Sequence, residues 1–364
     1  MKLAIDMTAC REPASGVQLA ISRAVQAELP FLREHECLVY ATKEEPQSDC
    51  LRPKLSSCLK RPLCRIAWQQ AIFAGDLRRN QVDVLQAMAY TLPLRLKIPA
   101  LLVVHDLIAL EHPEFCSLAN RLQMRCLLPQ SARRARYCLC PSAYVADSLR
   151  NILNIPATRL QVVPWGVDYP AFATPSTTPL PEPLQAGLPY FLFVGNIEPK
   201  KNLETLLKAY SRIADSTGTA LVVAGRYGWN CSSLAKNLRH WPGPGQVFWL
   251  GRVAQPLLVT LYQHALACIM PSWTEGFGLP VLEAMAAGTP VLHSNHPALQ
   301  ETAGGAGREF APDSPDCLAD LMRQLAGSPG LRREMIIQGQ ERARLCPWKN
   351  WGRQAAQIAK AAAQ

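Results

Sequence analysis

Runs of four or five consecutive apolar residues recur along the chain, and most lead into a longer segment whose apolar positions return every three or four residues. The first such series predicts strands at Lys2–Ile5, Cys37–Ala41, Val82–Gln86, Ala100–Val104, Tyr137–Cys140 and Leu160–Val163. Helices are expected between them: one entered through a turn at Ala14-Ser15-Gly16-Val17 and running to about Leu29, and others near Ile66–Arg79, Leu118–Ala135 and Ala143–Leu153. A strand that is apolar without alternation has two buried faces, so it belongs in a parallel sheet covered by helices on both sides. A second series follows, with strands at Tyr190–Val194, Ala220–Ala224, Val247–Leu250, Ala267–Met270 and Pro290–His293 and helices near Asn202–Ile213, Cys231–Leu238 and Pro256–His264. Helices resume from about Leu331, and this last part carries Trp348 and Trp351. The pattern is α/β throughout, in two series. Between them, Tyr169 to Pro189 holds six prolines among mostly small and polar residues, which predicts an extended linker. The expected division is a domain over 1–170, a linker over 171–189, a second domain over 190–347 and a closing helix over 348–364.

The stretch Pro271 to Gly288, PSWTEGFGLPVLEAMAAG, carries the densest chemistry. Gly276 and Gly278 suit a turn, and Pro280 suits a first helical position, where its fixed φ fits and its missing N–H costs nothing. Val281 to Ala287 are good helix formers, and Gly288 is a natural stop. A glycine-lined loop feeding a helix start presents N–H groups and a partial positive charge to an anion. Glu275 and Glu283 flank that start, and a carboxylate can accept from the paired hydroxyls of a ribose or a hexose. Phosphate donors beside hydroxyl acceptors suit a nucleotide sugar; the plainer alternative is a strand–loop–helix unit with a capping acid. Two further places stand out. His105 ends a predicted strand, where ligands of open α/β sheets bind, although it could equally tie down its loop through Asp106. Lys200 and Lys201 precede a helix start, a position that disfavours cations unless an anion lies between.

The string E-G-F-G-L-P-V-L-E, with P-S before it and A-M-A-A-G-T-P-V after it, resembles the E-x7-E motif of the family-4 retaining glycosyltransferases of the GT-B fold. The resemblance covers most of residues 100–350 and thins over 40–95. It implies two Rossmann-like domains facing across a cleft, the N-terminal one binding the acceptor and the C-terminal one the nucleotide sugar, with the last helix returning to the first domain. By resemblance Glu283 binds the ribose hydroxyls, Glu275 approaches the donor sugar, and the N–H groups of Phe277, Gly278 and Leu279 receive phosphate or sugar oxygens. H-D-L at His105 resembles a motif of members that handle mannose and related sugars, in which the His points at the donor sugar. F-V-G-N-I-E-P-K-K-N resembles the stretch where an Arg and a Lys five residues apart neutralise the pyrophosphate. Here Asn196 stands at the Arg position, Lys201 at the Lys position, and Lys200 is a substitute charge. Leu250 to Val253 resembles the strand end that meets the base, which brings in Arg252 and Val253. Gly16 matches a glycine that lines the donor phosphate, with Gln18 where a second glycine would fall. The implied reaction is retaining transfer of a hexose, mannose among the candidates, from GDP-mannose or a UDP-sugar to a glycan or lipid-linked saccharide of a surface polysaccharide or lipopolysaccharide. Glu275, His105 and Lys201 are the catalytic set, no general base is assigned, and no cofactor is needed. Nothing resembles the Asp-x-Asp motif of metal-dependent transferases, so metal-independent chemistry is expected. The alternatives are a nucleotide-sugar epimerase of the same fold, and a catalytically silent glycan-binding or scaffolding subunit, for which Asn196 and Gln18 are the only support.

Composition adds boundaries. The 364 residues are 49% hydrophobic and 18% charged, as in a globular protein, with no run long enough to span a bilayer. The N-terminal apolar segment is too short for a signal peptide and is interrupted by Asp6. Thirteen scattered cysteines without a C-x-x-C suit buried thiols in a reducing cytoplasm better than zinc or a disulfide framework. The net charge of +10 is concentrated: Arg52 to Lys97 has nine basic residues and two acids, and Arg121 to Arg136 has five basic residues and none. Apolar residues interleave both stretches. They suit either an anionic membrane surface, at the inner face of the plasma membrane, or an ordinary solvated face. No nucleic-acid module accompanies the charge.

Overall fold

The computed structural model describes residues 1–10, 16–42, 50, 51, 53, 55–182, 184–229 and 231–364. The turn residues Ala14 and Ser15, Arg52 of the basic stretch and Pro183 of the linker lie outside them. The chain divides into two compact units, residues 1–166 with 348–364, and residues 167–347.

The first unit is built on six parallel strands, β1 (Lys2–Asp6), β2 (Glu36–Tyr40), β3 (Val84–Ala87), β4 (Ala100–Val103), β5 (Tyr137–Cys140) and β6 (Leu160–Val162), in the spatial order β2-β1-β3-β4-β5-β6. Leu3, Ala4 and Ile5 are wholly buried, as a strand covered on both faces requires. The helix expected near Ile66 starts earlier, at Pro62, and passes through a π-turn at Gln69–Phe73 before ending at Arg79. Proline fits its first turn, where no intrahelical N–H bond is lost. The segment turns Gln69 inward, where its amide donates to Asp6 Oδ2 at 3.0 Å and to the Thr91 carbonyl at 3.1 Å. Phe73 stacks on Trp68 at 4.5 Å and meets Tyr40 edge-on at 4.8 Å, closing the core on this side.

The C-terminal helix Trp348–Ala363 belongs to this unit and packs along the helix Gly16–Glu28. The approach depends on Gly352, where a Cβ would stand 2.1 Å from the Ala27 carbonyl oxygen. Next to that contact, fully buried Glu28 accepts from the Gln86 amide at 2.6 Å. Burial pushes its carboxyl up to about 8, the Gln86 bond pulling the other way.

The second unit repeats the plan with β7 (Tyr190–Val194), β8 (Ala220–Ala224), β9 (Gln246–Gly251), β10 (Ala267–Met270), β11 (Val291–Ser294) and β12 (Arg308–Phe310), in the order β12-β11-β10-β7-β8-β9, all parallel. β12 is absent from the hydrophobic pattern because Arg308 and Glu309 are exposed and only Phe310 is buried; pairing with β11 makes it a strand. The stretch Tyr169 to Pro189, expected to be an extended linker, is held against this unit. It opens with the helix Tyr169–Ala173, capped by Asp168 and anchored by buried Phe172. Gln263 then supplies backbone partners, donating to the carbonyls of Phe172 and Thr174 at 2.8 Å each and accepting from the Ser176 amide at 2.9 Å. A proline-rich segment lacks N–H donors of its own, and one side-chain amide ties up the carbonyls left over.

The pH dependence of stability follows from Glu28. Its folded carboxyl holds a proton more tightly than the unfolded one, so its contribution is complete below about pH 4.5 and is lost as pH rises through about 8. Glu28→Gln keeps the amide-to-oxygen pairing with Gln86 and removes the ionisation. The variant is expected to melt at higher temperature than wild type at pH 8 and to show a shallower decline between pH 5 and 8, each unit being worth about 1.4 kcal/mol at most. Equal melting profiles across that range would contradict the assignment.

Candidate active site

In the second unit the strand order reverses at the β10–β7 pair, and ligands of open α/β sheets bind beyond the carboxyl ends of such a pair. Two loops meet there, residues 195–202 after β7 and residues 271–278 after β10. Asn202, in a left-handed conformation at φ 52°, joins them by donating its side-chain amide to the Pro271 carbonyl at 2.9 Å; the same amide reaches Pro312 at 2.7 Å. The Trp273 amide donates back to the Lys200 carbonyl at 2.8 Å.

Lys201 and Glu275 form the centre of this junction. Lys201 Nζ stands 2.5 Å from Glu275 Oε1, with side-chain exposures of only 13% and 9%. Ser272 Oγ donates to the same carboxylate oxygen at 2.7 Å, and Ser272 is itself fixed by Ser294 Oγ, which donates to its carbonyl at 2.6 Å. Burial pushes the Glu275 carboxyl up, but the Lys201 and Lys200 charges and the two hydrogen bonds outweigh it, so the group stays below its ordinary value. Sequence reasoning expected Lys201 at the phosphate and Glu275 at the sugar; the structure pairs the two side chains with each other. Asn196 in the same loop donates to Glu198 Oε1 at 3.1 Å.

The helix after the second loop spans Leu279–Ala286, so it begins one residue before Pro280, which takes the second position rather than the first. Gly278 caps it at φ +100°, a conformation that costs glycine little, and a Cβ there would stand 2.4 Å from Leu299 Cδ2. The first N–H groups of a helix have no partner within it, so the Phe277–Leu279 turn presents donors. Glu283 lies one turn in, half-buried, and accepts from the Tyr262 hydroxyl at 3.0 Å. Burial pushes its carboxyl up to about 7, against the pull of Tyr262. Arg252, exposed, and Val253, half-buried, follow β9, which is separated from β7 by β8.

In the first unit, Gly16 opens a helix and a Cβ there would meet open space. His105 follows β4 and is buried, with 4% exposure. Its Nε2 lies 2.7 Å from the Met88 carbonyl. A carbonyl only accepts, so Nε2 carries the proton; burial lowers the ring's pKa and keeps it neutral. Nδ1 is then an acceptor, buried and without a partner among the described residues. The loop-tying bond to Asp106 is not made, Asp106 Oδ1 accepting instead from the Ile108 amide at 3.3 Å.

Three contributors escaped the sequence reading: Ser272, Asn202 and Tyr262. Ser272 stands within the motif itself, and its P-S context was the available signal. Nothing local marks Tyr262, whose hydroxyl reaches Glu283 only through tertiary packing.

Two family models match the chain, one described as glycosyl transferases group 1 over residues 180–342 and one as glycosyltransferase family 4 over residues 27–169. The chain belongs to the group 1, family-4 glycosyltransferases. The O-antigen chain mannosyltransferase B of Escherichia coli is 29% identical over 282 residues, covering 76% of this glycosyltransferase and 74% of that protein. The serotype-specific mannosyltransferase WbdA of Escherichia coli is 29% identical over 266 residues, covering 69% of this chain. This chain spans about a third of that relative's length, the match covering 32% of it. Among solved structures, Anabaena HepE in complex with UDP-glucose superposes with a TM-score of 0.75 at 15% identity, over 99% of this chain and all of that one. At that identity the likeness shows the fold, the two-domain Rossmann-like arrangement of GT-B enzymes. Among the described residues no helix is long and apolar enough to cross a membrane.

The buried pair generates a stability prediction. Wild-type Glu275, ionised at a lowered pKa, adds stability above the unfolded carboxylate range and loses it as pH falls through the folded value. Lys201→Ala strands the carboxylate and is expected to destabilise the second unit by roughly 3–5 kcal/mol at pH 7. Adding Glu275→Gln should restore most of the loss. Denaturant unfolding of the two variants decides the matter; a double variant no more stable than Lys201→Ala would argue against the pair.

Proposed function

We propose that this glycosyltransferase moves a hexose from a nucleotide-diphosphate sugar onto a glycan or lipid-linked saccharide of a bacterial-type surface polysaccharide or lipopolysaccharide, with retention and without a metal. The observation that carries the reading is the Lys201–Glu275 pair, with Lys200 beside it, at the switch point where a helix N-terminus also opens. A departing nucleoside diphosphate gains negative charge in the transition state, and preorganised donors stabilise it there. Lys200, Lys201 and the amides of Phe277, Gly278 and Leu279 are that set, Lys200 supplying the charge that Asn196 lacks. An incoming phosphate shares Lys201 with Glu275. Glu275, kept ionised, then faces the sugar carbon as positive charge develops on it. Acceptor attack on the face vacated by the leaving group preserves configuration, and the leaving phosphate takes the acceptor's proton, so no protein base is required.

Glu283 accepts the ribose hydroxyls, Arg252 and Val253 meet the base, and Gly16 leaves room for phosphate beside the first unit's helix start. His105 offers Nδ1 to a sugar hydroxyl. Mannose is the first sugar to test because the O-antigen and serotype-specific relatives are mannosyltransferases, and HepE, with UDP-glucose, makes UDP-sugars the second choice. A panel of nucleotide sugars with a saccharide acceptor tests the reading. Transfer of mannose from GDP-mannose, undiminished by chelator, is expected. Sugar interconversion without acceptor would instead indicate an epimerase, and no turnover of any donor would indicate a silent subunit.

Glu283 adds a pH prediction. The ribose contact needs the carboxylate, and its pKa of about 7 means that the charged form must be recovered before binding. Affinity for the donor should therefore fall as pH drops below about 7, approaching tenfold per unit. In Glu283→Gln that slope should vanish. Glu283→Ala should weaken nucleoside diphosphate by roughly 1.5–3 kcal/mol, whereas Glu275→Gln lowers turnover and spares that affinity. A titration of donor affinity against pH in wild type and Glu283→Gln is the check, and parallel curves would remove Glu283 from the site.

A lipid-linked acceptor would bring the enzyme to an anionic surface. Leu118 and Leu122 are 77% and 67% exposed on the helix Leu118–Arg134, beside exposed Arg125, Arg133 and Arg134. Each basic residue adds about 1 kcal/mol at such a surface, screened over roughly 10 Å. Sedimentation with anionic vesicles at low salt is expected, with release at high salt and none with neutral lipid. Arg133→Ser with Arg134→Ser should reduce it, and absence of binding at low salt would favour a soluble acceptor.

A further inference from the structure

The hydrogen bond to Met88 sets the tautomer of His105 and opposes a ring flip, which would put carbon at both nitrogen positions and break it. One bond at the ring's edge still leaves the imidazole plane free to tilt about the Nε2–oxygen line. The structure closes off that freedom with aromatic groups. Trp165 lies nearly parallel to the imidazole, its ring centroid 5.6 Å away at an interplanar angle of 17°. Tyr90 meets it edge-on at 5.2 Å and 71°. Both geometries fall within the favourable range for aromatic pairs. Tyr90 is itself held at φ +55°, an unusual backbone conformation for a bulky residue, and its amide donates to the Val103 carbonyl at 3.1 Å. Such strained positions persist only where the surroundings over-determine them, and they cluster at functional sites.

Trp165 is in turn supported from behind. Trp351 of the C-terminal helix stacks on it at 5.4 Å and 17°, and Trp348 touches it at 5.7 Å. Trp165 is 4% exposed and Trp351 1%. Three near-parallel rings therefore run from the C-terminal helix to the end of β4, and Gly352, next to Trp351, is the residue that lets that helix close onto its neighbour.

We propose that Trp165, backed by Trp351 and assisted by Tyr90, is a positioning residue for His105, locking the imidazole so that Nδ1 alone is presented as an acceptor. The orientation of a group in the sugar-handling machinery thus depends on the last helix of the chain. The proposal rests on His105 contacting the sugar, and the test separates the two.

The first readout needs no activity. In wild type, ring nitrogen NMR of His105 should give one protonated Nε2 and one unprotonated Nδ1 at neutral pH, in a single orientation. Trp165→Met, which fills volume without a ring, should shift or broaden these resonances; Trp165→Phe, which keeps a ring, should shift them less. The second readout is kinetic. His105→Ala and Trp165→Met should each lower kcat/KM for the donor by tenfold or more, with free nucleoside diphosphate affinity changed by less than about twofold. The double variant should be no worse than His105→Ala, because both changes remove one function. Trp165→Phe should retain most activity. Unchanged His105 resonances in both Trp165 variants would overturn the proposal, as would a double variant whose losses multiply. If His105→Ala is fully active while the resonances still respond to Trp165, the clamp stands and the sugar contact falls. If Trp165→Met does not fold, the Trp165→Phe resonances decide.

Discussion

A carboxylate buried at a sheet's switch point has to be paired, and much of the second unit follows from how Glu275 is paired. Its partner Lys201 comes from a different loop, so the ion pair is also the clamp between the loops after β7 and β10. Asn202 and Ser272 extend the clamp with backbone bonds, and Ser294 fixes Ser272 from the next strand. A bond of this kind adds little net stability, because desolvating both charges offsets most of their attraction. Its value is geometric: it holds a cation and an anion at fixed places beyond the ends of β7 and β10.

The two acids of the motif are driven in opposite directions by their surroundings. Glu275 sees two lysines and stays ionised, whereas Glu283 sees a phenol and apolar packing and is pushed towards neutrality. Carboxylates separated in this way usually divide roles. Glu28, in the other unit, is buried completely, and its carboxyl is pushed higher still while it accepts from the Gln86 amide.

The first unit depends on a different constraint, the close approach of its terminal helix. Gly352 removes the Cβ that would strike the Ala27 carbonyl, and Trp351 is then buried against Trp165. The end of the chain becomes part of the core of its beginning, and the stack reaches His105. Packing there adds to the single hydrogen bond from Nε2 to Met88, and the second nitrogen is left without a partner among the described residues.

The sequence alone was enough for the strands and their parallel, covered sheets, because strands buried on both faces must be uninterruptedly apolar. It was also enough for the glycosyltransferase family, since the string around Glu275 and Glu283 combines a turn, a helix start and two acids that rarely coincide. Local pattern missed β12, whose strand character comes from its neighbour, and it did not show that Tyr169 to Pro189 opens with a short helix and is tied down by Gln263, because prolines announce extended chain whether or not a distant side chain binds it. Ser272, Asn202 and Tyr262 were illegible for the same reason: their roles are set by atoms far away in sequence. Only the tertiary structure decided that Lys201 faces Glu275, that His105 keeps its proton on Nε2, and that Trp165 stacks on it, since pairing, tautomer and ring orientation depend on where other chain segments place a charge, a carbonyl and an aromatic face.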